Sequence, residues 1–244
     1  MAKNLFVSLF LLLGLGTISE QKTTVYIIGD STAANKLTQA YPETGWGMEL
    51  QPYFNATVAV DNRAVNGRST KSFINERRWE AVLINLKAND YVLIQFGHND
   101  EKIDKPEVGT TLMEYKANLI KYIKEAQAKQ AIPVLMTPIM RRKFEKGVFE
   151  DTHMGYPDVV RKLADSLYIP LIDMHRKTER LIIDLGEIPS KKLFNHVDSG
   201  HVNYPQGKID NTHLSPTGAK AVAHLVVEGI RESKLGLAEQ LINQ

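Results

Sequence analysis

The sequence predicts an α/β fold, a parallel sheet sandwiched between layers of helices, on three observations. Short runs rich in Val, Ile and Leu alternate along the chain with longer stretches of helical periodicity. Most of those runs are apolar at nearly every position, as in strands covered on both faces. No repeat, low-complexity tract or proline-rich linker divides the chain after residue 19, so residues 20–244 read as one domain.

The first strand is the β-branched run at 23–28, Thr-Thr-Val-Tyr-Ile-Ile, which ends at Gly29. A weaker second strand lies at 57–60. The clearest is 90–96, Asp-Tyr-Val-Leu-Ile-Gln-Phe, stopped by Gly97. The fourth and fifth, 132–137 and 169–173, each carry Pro near the start, where the missing N–H costs least. Between them the spacing predicts helices. Residues 72–86 carry Phe73, Trp79, Val82, Leu83 and Leu86 on one face, and 111–129 carry Leu112, Tyr115, Leu119, Tyr122, Ile123 and Ala126. A third helix at 157–168 shows Val159, Val160, Leu163, Ala164 and Leu167. The last follows Ser215-Pro216, a good N-cap and first-turn pair, and runs through Ala221, Leu225, Val226 and Ile230.

Composition narrows the function classes. Lys+Arg is 30 against 28 Asp+Glu, a formal charge of +2, so there is no basic excess of the kind nucleic-acid binding requires. At 43% hydrophobic and 24% charged the chain is not disordered. The absence of Cys excludes disulfides, thiolate zinc sites, iron–sulfur clusters and a cysteine nucleophile. Residues 1–19 read as a cleaved export signal. Lys3 starts it, an apolar run from Leu5 to Leu15 is broken only by Ser8 and Gly14, and small Thr17 and Ser19 close it. That run is shorter than the roughly 20 residues of a membrane span. The mature chain is therefore expected outside the cytoplasm, periplasmic or secreted, with no stable membrane insertion.

In such sheets ligands sit beyond the carboxyl ends of the strands, and four polar constellations fall there. After the first strand comes Gly29-Asp-Ser-Thr-Ala33, which either holds Ser31 above the sheet near helix N-terminal amides or caps a helix. After the second, in 62–70, Gly67 offers a free backbone N–H or makes an ordinary turn. After the third comes Gly97-His-Asn-Asp100, where Asn99 is an amide donor or an Asx turn. Near the C-terminus Asp210 and His213 stand three apart before the last helix, as an orienting carboxylate and general base or as a surface turn. Five of the 7 His lie between His175 and His224, but without a helical metal-ligand spacing; His196 and His201 read as loop residues at the site's rim, and no metal or other cofactor is expected.

Together the four segments resemble the blocks of the SGNH (GDSL-like) hydrolases, in order and spacing, over roughly residues 25–220. Within that group the chain looks like the rhamnogalacturonan acetylesterases. The nearer features are Gly29-Asp-Ser-Thr32, Asn66-Gly-Arg-Ser69 followed by Phe73, Gln95 to Asp100, Asp151-Thr-His153 with Tyr156-Pro157, and Asp210 to Gly218. Thr32 stands where the general motif has Leu. The resemblance implies a flavodoxin-like three-layer α/β/α sandwich with a five-stranded parallel sheet. It implies Ser31 as nucleophile, His213 as base, Asp210 as the group orienting it, and an oxyanion hole from the Ser31 and Gly67 N–H groups and the Asn99 side chain. Asp30, Asn66 and His98, beside these groups, are candidate substrate-binding residues. The activity implied is removal of O-acetyl groups from an acetylated plant polysaccharide, rhamnogalacturonan first. A general carbohydrate, xylan or broad esterase/lipase substrate is the alternative within enzymes, and a carbohydrate-binding module the alternative outside them. No long apolar lid is evident, the Gly-x-Ser-x-Gly elbow of α/β-hydrolases fails at Ala33, and no phosphate-loop motif is found.

Overall fold

A computed structural model describes residues 22–242; the expected export segment at 1–19 lies outside them. Five strands, β1 (Thr23–Gly29), β2 (Val58–Asn62), β3 (Tyr91–Gln95), β4 (Ile132–Met136) and β7 (Leu171–Ile172), make one sheet in the order β2-β1-β3-β4-β7. Every pairing is parallel, with Val25 beside Val60 and Tyr91, and Leu93 beside Ile27 and Val134. Successive side chains leave opposite faces of a strand. Val25, Ile27, Leu93, Val134 and Met136 enter one core, while Tyr26, Ile28, Val92, Ile94 and Leu135 enter the other. The first core is closed by α5 (Met174–Leu185) and α6 (Pro216–Glu232), the second by α1 (Thr70–Asn75), α2 (Arg78–Asn85), α3 (Leu112–Ala128) and α4 (Tyr156–Leu167). The result is the expected three-layer sandwich.

Local chemistry sets the element ends. Thr111 and Glu114 form a reciprocal capping box at α3, and the Ser215 side chain accepts from the Gly218 N–H at α6. Pro133 precedes the stretch of β4 that pairs with β7, so its missing N–H breaks no ladder bond. Asp90, expected inside the third strand, instead accepts the Thr24 N–H at 2.8 Å and the Lys87 N–H at 2.9 Å and so latches the strand's entry.

Three features differ from the sequence expectation. The single helix expected over 72–86 is two, α1 and α2, broken at Arg77, whose φ is +58°. The break lets Phe73 pack edge-on to Phe96 while Trp79 packs edge-on to Tyr122, their ring centroids 5.4 and 5.0 Å apart. Helix α5 was not expected, because the polar run His-Arg-Lys-Thr-Glu-Arg hides its buried stripe of Met174, Thr178 and Ile182. Asp173 caps it, which also ends β7 after two residues. Finally, β5 (Phe144–Glu145) and β6 (Val148–Phe149) form a small antiparallel hairpin. Its turn residues Lys146 and Gly147 both have positive φ, as a type I′ turn requires. No helix of the described residues is long and apolar enough to cross a membrane.

Candidate active site

The nucleophile candidate sits on a turn made by its neighbours. Asp30 leaves β1 fully buried, and its Oδ1 accepts the Thr32 N–H at 2.9 Å and the Thr32 hydroxyl at 2.8 Å. The Ala33 and Ala34 N–H groups return to the Asp30 carbonyl. No regular helix follows. Residues 31–33 are a turn, so Ser31 neither caps a helix nor draws on helix amides. Asp30 is thereby corrected as a substrate-contact candidate: with no exposed surface it shapes the turn and reaches no ligand.

From the opposite end of the chain, His213 arrives on the segment entering α6. That segment is held by the Asn195 N–H on the His213 carbonyl and by the Ser215 N–H on the Leu193 carbonyl. Helix α6 then packs so closely on the 193–195 strip that a Cβ on Gly218 would stand 1.8 Å from the Leu193 oxygen. His213 Nε2 lies 3.0 Å from Ser31 Oγ, and His213 Nδ1 lies 2.8 Å from Asp210 Oδ2. The other Asp210 oxygen accepts the Thr212 and His213 N–H groups, both at 2.9 Å. Burial alone would raise the Asp210 carboxyl, yet the His213 ring and these backbone donors hold it well below the usual carboxylate range. Asp210 is thus a fixed anion against His213 Nδ1, and Nε2 on the far side of the ring faces the Ser31 hydroxyl.

The expected donors are the Ser31 and Gly67 N–H groups and the Asn99 amide; of these, Gly67 is not among the residues lining the cavity that Ser31 and Asn99 share. Neither the Ser31 nor the Gly67 N–H meets a protein acceptor among the described residues. Gly67 has φ +76°, a conformation that suits glycine. The Asn99 amide spends one hydrogen on the Arg68 carbonyl at 3.1 Å, and its oxygen accepts Lys102 Nζ at 2.7 Å, which fixes which way the amide points. The Asn99 loop is itself tied down by Asp100, which accepts the Thr70 N–H and hydroxyl and the Thr110 hydroxyl. Burial raises the Asp100 carboxyl to about 7 against those donors. Ser31, Asn99, Asp210 and His213 line one cavity of about 200 Å³. The rest of its wall is His98, Lys102, Arg141 and Thr212, so no apolar side chain is among its lining residues.

Of the other substrate-contact candidates, Asn66 is exposed, but its Oδ1 is taken by Lys36 Nζ at 2.7 Å. His98 is buried under the cavity floor. Its Nδ1 lies 3.2 Å from Asp30 Oδ2 but too poorly aligned for a hydrogen bond, so neither ring nitrogen has a partner. Burial pulls His98 down to about 4 despite Asp30, leaving a neutral ring at neutral pH. The Asp151-Thr-His153 segment packs behind the site, His153 between Glu101 and the Ile139 carbonyl, with its ring edge-on to His98. His196 bonds the Asn211 side chain next to Asp210, and His201 lies against Tyr41.

Glu43, Asp210 and His213 bring ligand-type atoms within 4.8 Å of one another. Each carboxylate already faces an ammonium, however: Lys36 and Lys208 flank Glu43, and Lys208 also reaches Asp210 at 3.2 Å. That set is charge-balanced without a cation. Sequence reasoning missed Lys36, Glu43, Lys102 and Lys208, since isolated Lys and Glu in loops carry no periodicity or motif.

Comparison with known proteins agrees with this geometry. Residues 27–221 match the GDSL-like lipase/acylhydrolase family. The chain is 40% identical over 222 residues to rhamnogalacturonan acetylesterase RhgT of Bacillus subtilis, covering 90% of this chain and 94% of that one. It is 34% identical over 225 residues to a probable rhamnogalacturonan acetylesterase, YesY, of the same organism, covering 90% of this chain and 98% of that one. The crystal structure of the Bacillus subtilis protein YxiM superposes with a TM-score of 0.75 at 26% identity, over 88% of this chain and 58% of that longer chain. With the match running from the first strand into the last helix, the chain belongs to the GDSL-like lipase/acylhydrolase family of ester hydrolases.

Proposed function

We propose that the protein is an exported serine esterase that removes O-acetyl groups from rhamnogalacturonan through an acetyl-enzyme. The observation that carries it is the unbroken chain Asp210–His213–Ser31, opening on a small cavity lined only by polar and charged residues. That lining suits a short acyl group on a hydroxyl-rich alcohol and offers a long fatty acyl chain no apolar side chain to bury against. Ser31 Oγ attacks the acetyl carbonyl carbon while His213 Nε2 takes its proton. The carbonyl oxygen becomes an oxyanion within reach of the Ser31 and Gly67 N–H groups and the Asn99 amide. As the carbon–oxygen bond to the sugar breaks, His213 returns the proton to the sugar oxygen. Water then attacks acetyl-Ser31, giving its proton to His213; acetate leaves and Ser31 recovers its hydrogen.

The names of the two Bacillus acetylesterases support rhamnogalacturonan as the substrate. The charged start and short apolar run of residues 1–19 support export. Acetate release is the test, compared across acetylated rhamnogalacturonan, homogalacturonan and xylan, with Ser31→Ala as control. Preference for the first, with the control inactive and normally folded, is the expected result. Equal rates would remove the pectin assignment, and an active Ser31→Ala would remove the mechanism. Protein collected from the cell exterior should begin beyond residue 19.

A further inference from the structure

We propose that Lys36 and Asn66 form a positioning pair that holds the oxyanion loop against the nucleophile turn, so that Asn66 acts through Gly67 and not on the substrate. The inference rests on the serine-esterase reading above. The Lys36 side chain is 2% exposed although it rises from a surface loop. Its ammonium donates to the Ser31 carbonyl at 2.6 Å and to Asn66 Oδ1 at 2.7 Å, and pairs with Glu43 Oε1 at 2.7 Å. Three acceptors use its three hydrogens. Taking an ammonium out of water costs several kcal/mol unless its partners are complete, so this junction holds only while all three stay in place.

Gly67 follows Asn66, the residue this junction holds. Nothing would lie within 4 Å of a Cβ on it, so packing does not fix this turn. The turn closes on its own bonds, the Arg68 N–H to the Val65 carbonyl at 3.3 Å and the Arg68 guanidinium to the Asn66 carbonyl at 2.8 Å. It is anchored to the rest of the site by a tie on either side, each leading to another oxyanion donor. Asn66 is tied through Lys36 to Ser31, and the Arg68 carbonyl accepts the Asn99 amide. The three donors therefore belong to one hydrogen-bonded circuit. Its far arm runs from Glu43 to Lys208 and on to Asp210, both at 3.2 Å, so the same junction reaches the carboxylate that orients His213. An exposed Asn with its oxygen already committed is a poor sugar ligand and a good brace.

The two readings of Asn66 predict opposite kinetics. A substrate contact raises KM for glycan and leaves a small aryl ester untouched. A brace lowers kcat on both, because the oxyanion donor drifts from where charge develops, and displacement by about 1 Å costs roughly 100-fold. The experiment measures kcat and KM of Asn66→Ala, Asn66→Asp, Lys36→Met and the Lys36→Met/Asn66→Ala double variant on 4-nitrophenyl acetate and an acetylated oligosaccharide. Asn66→Ala should lose about tenfold or more in kcat on both substrates, with KM within about twofold. Asn66→Asp, which keeps the acceptor, should recover most of that loss. The double variant should be no slower than the worse single one, because both cut the same tie. Asn66 is exposed, so its variants carry the test even where Lys36→Met fails to fold. Higher KM for the glycan with normal aryl-ester kcat, or a double variant whose losses multiply, overturns the inference. Ser31→Ala run alongside separates the two levels. If it is inactive while Asn66→Ala turns over normally, only the positioning role falls; if it stays active, the serine mechanism falls first.

Discussion

At the residue scale the proposed site divides into side chains placed to react and side chains that hold them. Ser31, His213 and Asp210 meet at 3.0 and 2.8 Å, while Asn99 is aimed by Arg68 on one amide atom and Lys102 on the other. Its remaining hydrogen is the donor that a growing oxyanion would take. Asn99→Ala should therefore lower kcat by about 10²–10³ with little change in KM, as loss of one such donor does. Steady-state rates on an aryl acetate read this directly; a kcat within about twofold of the parent would take Asn99 out of the hole. These residues were legible in the sequence because their chemistry restricts which residue types serve and the strand ends restrict where they stand. Lys36, Glu43 and Lys208 were not, since a lysine that pairs across 165 positions, as Lys208 does with Glu43, leaves no local trace.

Elements place those side chains, and α6 does the most for the site. Its first turn lies on the Leu193–Asn195 strip, which also receives the His213 backbone. In an open helix Gly→Ala gains stability, up to about 1 kcal/mol. At Gly218 the new methyl would meet a backbone oxygen at 1.8 Å, so the sign reverses. Gly218→Ala should lower Tm by several degrees and cut activity further than unfolding explains, because α6 must lift and carry His213 away from Ser31. Thermal melts paired with fluorophosphonate labelling of Ser31 check both halves; an unchanged Tm would show that the strip yields instead. Helices with an apolar stripe, α3, α4 and α6, were readable by period alone. Helix α5 was not, its stripe being interrupted by charge, and the α1–α2 break was not, since nothing local marks Arg77 as left-handed.

Across the whole molecule, two buried groups beneath the site pull stability in opposite directions with pH. His98 is held down to about 4 by burial, below the roughly 6.5 of a free imidazole. Its contribution is complete above about 6.5 and is lost as pH falls through about 4. Asp100 is pushed up to about 7 by burial, above a free carboxyl near 3.9, so its contribution is complete below that value and is lost as pH rises through about 7. Between pH 4 and 7 the two oppose each other, and the parent should change little. His98→Gln removes one side of the balance. Measured by denaturant unfolding, the stability of the parent minus that of His98→Gln should fall by up to about 3 kcal/mol from pH 7 to pH 4. A difference independent of pH would mean that His98 does not titrate across this window.

By itself the sequence determined the alternation of strand and helix, the apolar stripes of α3, α4 and α6, and the short list of groups able to do acyl-transfer chemistry. Those depend on side-chain type and local spacing, which are written along the chain. Only the tertiary structure decided that a hydroxyl at 31 and an imidazole at 213 meet at hydrogen-bond distance, that Asp30 faces inward, and that a buried lysine ties the donors together. These are matters of closure between distant segments. Packing and burial set such distances, and no local pattern in a linear chain encodes them.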